Sequence, residues 1–416
     1  MSCCKRLLYT AFDVVPAPKG ASRHITHFTR ALVAAGYEVT LLTAGDGLLP
    51  ASGHYAGARI VRVDGRQGNF LERALAFGDA VYEHLRQHNG EYELVHFRDI
   101  WSGTAALEAR RRFGFTYRTL FEANGLPSVE LKYHYPALKD ADLPARLRLQ
   151  EQDVLRQVEA VVCVSAVTAI FLRSLGAAAG KIQVIHNGVD PADFPLVAGP
   201  AARPDDDQPR LVYSGTLAPW QGIDTLIQAM PGILIYFAGA QLHLVGPGKK
   251  WQRKRLIKLA AKLGLDDDVV IFHEPITADA VARHLAAASL CVAPLAYDDR
   301  NVSQGCCPIK LLEYAAVGRP ILVSDLPVAR ELLAEGEARF FSPGDADDLA
   351  RQAVELLLDR PAATEMGCRA ANHVRREFTW QRSGEQLAAL VRTLLNSRAD
   401  RREPAAGLLR DLARIA

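Results

Sequence analysis

The chain has 416 residues, of which 49% are hydrophobic and 23% charged, and its formal net charge is +2. This balance argues against a dedicated nucleic-acid-binding protein, which normally carries a large cationic excess, and against a disordered chain. Because the length exceeds what one hydrophobic core usually holds, we expect two domains.

Cysteine usage and hydropathy indicate a cytoplasmic protein. The seven cysteines are odd in number and none has the Cys-x-x-Cys spacing, so neither a disulfide framework nor a zinc site is expected. The longest apolar stretch, residues 232–245, is too short to span a bilayer. The strand-like run at residues 6–11 leads directly into a Pro/Gly loop, so no signal peptide is expected there.

Strand-like runs alternate with helical stretches through the first half of the chain. The predicted strands are residues 6–11, 38–43, 94–97, 117–122, 160–165 and 182–186. The predicted helices are residues 24–35, 71–88, 101–112 and 143–157. Alternation of nearly continuous apolar strands with amphipathic helices predicts a parallel sheet covered on both faces.

This alternation stops at residues 197–208, which are rich in Pro, Ala and Asp and read as a linker. It then restarts, so we predict two doubly wound α/β domains, at residues 1–196 and 209–378. A helix at 379–396 and a charged tail at 397–416 follow. Ligands of open parallel sheets bind at the carboxyl ends of the strands, and two such domains would face each other across a cleft there.

Three glycine-containing loops follow predicted strands and could hold a phosphate. Gly20 and Ala21 lie between the first strand and its helix, Gly215 follows the strand at 210–214, and Gly246 follows the strand at 241–245. Glycine lets a phosphate approach the backbone, and free N–H groups at a helix N-terminus bind anions. None of these loops is the G-x-G-x-x-G dinucleotide fingerprint, which argues against a dehydrogenase or epimerase.

The most informative segment is residues 305–320, where a tight loop enters a helix. The loop residues Cys307, Pro308 and Ile309 could direct N–H groups at a diphosphate. Glu313, in the second turn of the helix, could accept two hydrogen bonds from a ribose diol, as an acidic residue does in dinucleotide folds. A solvated helix residue is the alternative interpretation of Glu313.

Four motifs in order resemble glycosyltransferase family 4 and span nearly the whole chain. They are VIHNGVD at residues 184–190, YSGTLAPWQGIDTLIQA at 213–229, LVGPG at 244–248 and CPIKLLEYAAVGRPIL at 307–322. The last resembles a variant of the family's Glu-x7-Glu motif. Their order and spacing make the resemblance specific.

The resemblance implies a GT-B fold, in which two Rossmann-like domains face a central cleft, with the acceptor on the N-terminal side and the nucleotide-sugar donor on the C-terminal side. It implies sugar transfer with retention and with neither a metal nor a cofactor. Glu313 matches the glutamate that holds the ribose, and Gly20 and Ala21 match the loop near the donor phosphates. The final helix would cross back onto the N-terminal domain.

The chain departs from the family pattern at three charged positions. Gly305 stands where the first motif glutamate is expected, and Thr216 and Gln221 replace the arginine and lysine that normally neutralise the leaving diphosphate. Because leaving-group stabilisation is central to this transfer, an active enzyme needs another cation. Lys310 is the first choice, since it shares a helix face with Glu313 at i and i+3, and Arg23 and Lys249 follow.

On the acceptor side, Glu122 and His96 each end a predicted strand and are candidate catalytic residues. A carboxylate at Glu122, pointing into the cleft, could stabilise oxocarbenium-like charge. The alternatives are a core-edge carboxylate paired to an arginine and a structural histidine. Residues 129–144 are loop-like and suit either acceptor recognition or a surface excursion.

The expected partners are a nucleotide sugar and a glycan, lipid-linked or small-molecule acceptor. The alternative function is a nucleotide-sugar-binding relative that has lost turnover. The basic run at 249–262 reads as a solvated helix face, although contact with the inner membrane face stays an alternative. The acidic runs at 266–268 and 298–299 lack partner carboxylates, so no metal site is predicted.

Overall fold

The computed structural model describes residues 5–65, 68–88, 90–135, 142–197, 208–274 and 277–397. These residues form two α/β domains, each built on its own sheet, followed by a last helix. The predicted linker lies almost wholly outside the described residues, and so does the predicted tail from residue 398.

The N-terminal domain contains an eight-stranded sheet with the order β3-β4-β2-β1-β5-β6-β7-β8. Its strands are β1 (Arg6–Val14), β2 (Glu38–Gly45), β3 (Ser52–Tyr55), β4 (Ala58–Asp64), β5 (Leu94–Phe97), β6 (Arg118–Ala123), β7 (Ala160–Cys163) and β8 (Ile182–Val184). All neighbours are parallel except the β3–β4 hairpin, which the sequence patterns do not predict. Its strand β3 is short and exposed, so it lacks the apolar run that marks the other strands.

Six helices connect these strands and cover both faces of the sheet. They are α1 (Gly20–Ala34), α2 (Phe70–Gln87), α3 (Ile100–Phe113), α4 (Pro127–His134), α5 (Leu143–Gln157) and α6 (Ala166–Ser174). Alternate residues of β1 enter different core clusters: Leu7 and Tyr9 pack on one face of the sheet and Leu8 on the other. Burial on both faces explains why the strand reads as one continuous apolar run.

The C-terminal domain is a six-stranded, all-parallel sheet with the order β11-β10-β9-β12-β13-β14. Its strands are β9 (Arg210–Ser214), β10 (Gln241–Val245), β11 (Val270–His273), β12 (Leu290–Ala293), β13 (Ile321–Ser324) and β14 (Arg339–Phe341). Its helices are α7 (Ile223–Leu234), α8 (Lys250–Lys262), α9 (Ala278–Ala286), α10 (Ile309–Ala316), α11 (Pro327–Arg330), α12 (Ala346–Leu358) and α13 (Arg360–Glu377).

The last helix, α14 (Trp380–Asn396), packs on α1 of the N-terminal domain. The indole ring of Trp380 stacks on His27 with the ring centroids 4.7 Å apart. Leu387 and Val391 enter an N-terminal core cluster, and Gly384 lies so close to Ala31 that an added Cβ would come within 2.5 Å of the alanine methyl. The chain therefore returns to its first domain after completing the second.

The basic and acidic runs have structural roles in this fold. The basic helix α8 buries Leu256 and Ala260 against the C-terminal core. Asp266 caps a turn by accepting hydrogen bonds from the backbone of Asp268 and Val269. In the described part of the chain, no helix is long and apolar enough to cross a membrane.

Candidate active site

The N-terminal ends of α1 and α10 meet across the cleft between the two domains. A Cβ added to Gly20 would lie 3.4 Å from Cδ1 of Ile309, and the Arg23 guanidinium forms an ion pair with the Glu313 carboxylate. Ala21, in the first turn of α1, is half-buried next to Gly20. The structure thus brings the first predicted phosphate loop, at Gly20 and Ala21, against the loop and helix of residues 305–320.

Both helices begin without a side-chain cap. Lys19 precedes α1 and Pro308 precedes α10, and neither accepts a hydrogen bond through its side chain from the first helical turn. The first N–H groups of a helix have no partner inside the helix, and together with the helix dipole they favour an anion. Two uncapped helix N-termini that face one cleft form a suitable environment for a diphosphate.

The glycine loops of the C-terminal domain converge on Lys310. Gly215 has a φ of +137°, and a Cβ there would lie 2.8 Å from the Lys310 Nζ. Gly246 has a φ of +142°, and a Cβ there would lie 2.2 Å from the Gly215 carbonyl oxygen. Both positive φ angles disfavour a side chain, so the Gly215 backbone lies next to the Lys310 ammonium group and the Gly246 backbone lies against Gly215.

Lys310 is buried, and its Nζ donates hydrogen bonds to the Tyr213 hydroxyl at 2.9 Å and to Oε1 of Gln221 at 2.5 Å. Burial lowers the pKa of Lys310 to about 7, and the nearby Glu313 carboxylate opposes that shift. Gln221, which replaces the expected lysine, therefore orients another lysine from across the site. The exposed Thr216 contributes its carbonyl oxygen, which accepts a hydrogen bond from the Tyr213 hydroxyl at 2.6 Å.

Glu313 is also buried, apart from the edge that meets Arg23. Burial raises the pKa of Glu313, while the Arg23 and Lys310 charges oppose that rise. The solvated-helix alternative for Glu313 does not hold, because its residue exposure is only 8%. Its carboxylate faces the cleft from the same helix as Lys310.

A hydrogen-bond chain joins the VIHNGVD motif to the donor loop. The Asn187 side chain donates to the Cys307 carbonyl oxygen at 2.8 Å, and its Oδ1 contacts Nδ1 of His24 at 2.7 Å. His24 in turn contacts Glu122 through Nε2 at 2.9 Å. Asn187 and His24, which the sequence motifs do not single out as functional, therefore position the loop that precedes α10.

Glu122 does not point into the cleft as the sequence suggests; it is fully buried. Its carboxylate accepts hydrogen bonds from the Tyr9 hydroxyl at 2.7 Å and from Nε of Arg98 at 2.8 Å. Burial alone would raise the pKa of Glu122, but attraction to His24 and Arg98 outweighs it and holds that pKa well below its usual range. The arginine-paired alternative describes Glu122 in this structure.

His96 is enclosed in the same network rather than facing a ligand. Its residue is fully buried, its Nε2 lies 3.0 Å from the Glu122 carboxylate, and its ring stacks on Tyr9 with centroids 4.2 Å apart. These contacts come from β1, β5 and β6, which lie side by side in the sheet. The structural interpretation of His96 therefore fits this geometry, whereas contact with a transferring sugar does not.

The surroundings of Gly305 explain why this position does not hold the first glutamate of the family motif. Its φ is +81°, and a Cβ there would lie 2.8 Å from the Thr168 backbone nitrogen and 2.9 Å from the Ser165 hydroxyl oxygen. A glutamate would therefore force the loop away from the N-terminus of α6. A side chain at this position is excluded both by backbone strain and by a neighbouring element.

Residues 127–134 form α4, although the sequence patterns predict a loop from residue 129 onward. Pro127 occupies the first turn, where a proline is favoured. The helix packs against the C-terminal domain: Glu130 forms an ion pair with Arg300 at 3.0 Å, and Lys132 pairs with Asp299 at 2.5 Å. Residues 136–141 of the predicted acceptor segment lie outside the described residues.

Lys249, the third candidate cation, also joins this interdomain contact. Its Nζ donates to the His134 carbonyl oxygen at 3.2 Å and lies 5.5 Å from the centre of the Tyr135 ring. Of the three candidate cations, Lys310 and Arg23 are the two whose side chains contact other predicted donor-binding residues, Gln221 and Glu313.

Comparison with known proteins identifies the same two halves. Residues 18–193 match the family model described as Glycosyltransferase Family 4, and residues 208–359 match the model for glycosyl transferases group 1. The chain is 26% identical over 407 residues to a GDP-mannose-dependent alpha-(1-6)-phosphatidylinositol monomannoside mannosyltransferase of Mycobacterium tuberculosis. That match covers 93% of this chain and 98% of the relative.

Two solved structures are similar along nearly their entire length. Sucrose-phosphate synthase from Thermosynechococcus elongatus superposes with a TM-score of 0.79 at 23% identity, covering 95% of this chain and 100% of that one. HepE from Anabaena, solved in complex with UDP and glucose, superposes with a TM-score of 0.71 at 15% identity, covering 93% and 99%. These two structures and the two parallel sheets show the GT-B fold, and the two family models show that the chain is a glycosyltransferase belonging to family 4.

Proposed function

We propose that this chain is a retaining, metal-independent glycosyltransferase that moves a sugar from a UDP- or GDP-linked donor to a glycan, lipid-linked or small-molecule acceptor. The observation that carries the proposal is the convergence of Lys310, Arg23 and Glu313 on one cleft, beside two uncapped helix N-termini. The two cations and the two helix N-termini could bind a diphosphate, and the carboxylate could bind the ribose attached to it.

Lys310 and Arg23 would supply the charge that neutralises the departing diphosphate. Lys310 is pre-oriented by Tyr213 and Gln221, so no side-chain reorganisation is needed when negative charge develops. Oriented donors in a water-poor site stabilise such charge most strongly. Because both cations belong to the protein, the transfer does not require a divalent ion to bridge the phosphates.

Glu313 would accept two hydrogen bonds from the ribose diol, after exchanging its contact with Arg23 for the nucleoside. Arg23, released by that exchange, would turn to the diphosphate. This exchange would couple donor binding to a change in the contact between the two domains, such as closure of the cleft around the donor.

The leaving phosphate would take the acceptor proton. Glu122 and His96 are enclosed in the N-terminal core, so neither is proposed as a nucleophile or a base. Their role is positioning: through His24 and Asn187 they hold the Cys307 backbone beside the donor site. Transfer on the same face as the leaving diphosphate needs no protein nucleophile.

A donor screen with the purified chain tests the proposal. UDP- and GDP-sugars are incubated alone and with lipid-linked, glycan and small-molecule acceptors, and release of UDP or GDP is measured. The name of the M. tuberculosis relative makes GDP-mannose with an inositol-containing lipid a first pair to try. We place the reaction in the cytoplasm, with peripheral contact at the inner membrane face when the acceptor is a lipid.

Nucleotide-sugar binding without hydrolysis or transfer to any acceptor would instead support the silent relative. The observation that favours this second function is that Gly305, Thr216 and Gln221 replace three charged residues of the family pattern. The screen distinguishes the two functions because binding and turnover are measured on the same preparation.

A further inference from the structure

Three histidines of the C-terminal domain, none of them assigned to the donor site, converge on one point. His243 lies on β10, His273 ends β11 and His284 lies on α9. Val245 pairs with His273 in the parallel ladder, so His243 and His273 project from the same face of the sheet. Within the described ranges, they form the one group of three ligand-type side chains whose donor atoms all lie within 4.8 Å of one another.

The spacing of the ring nitrogens suits a tetrahedral metal ion. Nδ1 of His243 and Nε2 of His273 are 2.9 Å apart, and the His273 and His284 ring centroids are 4.2 Å apart. Zinc binds histidine nitrogen at about 2.0–2.1 Å, so the ligand nitrogens of a tetrahedral site are ~3.3 Å from each other. The 2.9 Å separation is slightly shorter than that value, and all three ligand atoms lie within 4.8 Å of one another, so small side-chain shifts would complete the site.

A neighbouring amide orients the most buried ring. Nε2 of His243 lies 3.4 Å from Oε1 of Gln241, whose own Nε2 donates to the Asp268 carbonyl oxygen at 3.3 Å. Because the amide oxygen can only accept, this contact favours the tautomer of His243 that carries its proton on Nε2. Nδ1 then presents its lone pair to the centre of the cluster, in the way that outer hydrogen bonds orient metal-binding histidines.

We propose that His243, His273 and His284 bind one Zn²⁺ ion, with a water molecule as the fourth ligand. On binding, the proton of the ring nitrogen that enters the coordination shell moves to the other nitrogen of His273, so that all three rings present lone pairs. Histidine ligands without carboxylates suit zinc better than magnesium or calcium. His273 and His284 are half-exposed, which leaves a path for the ion.

The site would stiffen the donor side of the cleft without entering the reaction. The Gly246 backbone nitrogen contacts the His273 carbonyl oxygen at 3.4 Å, so the ligand-bearing end of β11 supports the Gly246 loop. A metal that joins β10, β11 and α9 would hold that loop in place. The proposal is independent of which sugar is transferred, and of whether any is.

Isothermal titration of the EDTA-treated, full-length protein with ZnCl₂ tests the site. We expect one equivalent to bind and the melting temperature to rise with Zn²⁺ concentration, as it does for a ligand that binds only the folded state. Co²⁺ in place of Zn²⁺ should give the visible absorption of a tetrahedral ion. Absence of binding, or an octahedral Co²⁺ spectrum, would overturn the proposal and leave a packed histidine cluster.

Four variants assign the binding to these residues. His284→Gln, at the half-exposed edge, should weaken Zn²⁺ binding by more than the roughly 10- to 100-fold that loss of an outer-shell hydrogen bond costs. Gln241→Met keeps all three ligands and should show that smaller loss. His54→Gln, an exposed histidine on β3, and His88→Gln, which removes half of the stacked His84–His88 pair, are the controls. Unchanged affinity in His284→Gln, or loss in either control, would contradict the assignment.

Discussion

The Arg23 guanidinium and the Glu313 carboxylate form an ion pair that joins α1 of the N-terminal domain to α10 of the C-terminal domain. Side-chain exposures of 27% and 10% place the pair at the mouth of the cleft rather than in either core. The carboxylate proposed for the ribose is therefore already engaged by the opposite domain. Any ligand of Glu313 must compete with Arg23.

Glu313→Gln should weaken UDP or GDP binding by about 10- to 100-fold, because a hydrogen bond to a charged acceptor contributes roughly 1.5–3 kcal/mol. Titration calorimetry with both nucleotides measures the change. Glu108→Gln, which removes an exposed carboxylate paired with Arg111 on α3, is the matched control. An unchanged dissociation constant in Glu313→Gln would refute the ribose assignment.

Nucleotide affinity should fall as the pH rises from 7 to 9. Burial lowers the Lys310 pKa to about 7, so the ammonium is charged below that pH and mostly neutral above it. A diphosphate binds the charged form of Lys310, so above pH 7 the Lys310 amine must take up a proton when the nucleotide binds. The dissociation constant should therefore rise by up to about tenfold per pH unit. The nucleotide's own phosphate, with a pKa of about 6, is ionised across this window.

Lys310→Arg supplies the control for this pH dependence. A guanidinium stays charged through pH 9, so the variant should bind UDP or GDP with an affinity that hardly changes over the same range. Lys310→Met should lower turnover by about 10²- to 10³-fold, the usual loss for one oriented donor. A flat profile in the unmodified protein would mean that another group carries the charge.

Gly305→Glu, which restores the family's motif glutamate, should destabilise the protein rather than improve it. Its added side chain meets the start of α6, and overpacking of this kind costs about 1–3 kcal/mol beyond the backbone strain. Gly344→Glu is the matched control, because Gly344 also has a φ of +81° but nothing lies within 4 Å of its added Cβ. Thermal unfolding of the two variants compares them, and equal melting temperatures would contradict the steric explanation.

Glu122→Gln should cost up to about 3–5 kcal/mol of stability, because it removes the nearer carboxylate from the buried Arg98 guanidinium and leaves only Asp13, at 3.7 Å, paired with it. The pKa of Glu122 is held below its ordinary value of 4.5, so its contribution is fully present above pH 4.5 and is lost as the pH falls toward the lower value. The difference in melting temperature between the two proteins should therefore shrink in acid. Glu83→Gln, at an exposed pair with Arg86, should leave the melting temperature unchanged.

Most strands and helices could be predicted from the sequence because they follow local patterns, whereas the β3–β4 hairpin and α4 were not predicted. Apolar runs such as residues 211–213 mark strands that are buried on both faces, and a glycine loop follows this strand at Gly215. The motif at residues 307–322 likewise places Lys310 and Glu313 on one helix face, since i and i+3 are neighbours in any α-helix. These features need no knowledge of distant contacts.

Contacts between distant segments were decided by the tertiary structure alone. Glu122 ends a strand, as a cleft residue would, yet Tyr9, Arg98 and His24 enclose it from other elements. In the sequence, Gln221 only marks the absence of an expected lysine. In the structure, its side chain accepts a hydrogen bond from Lys310. Local periodicity determines which face of an element a residue occupies. Its burial and its charge partners depend on which other elements pack against that face, and those elements come from distant parts of the chain.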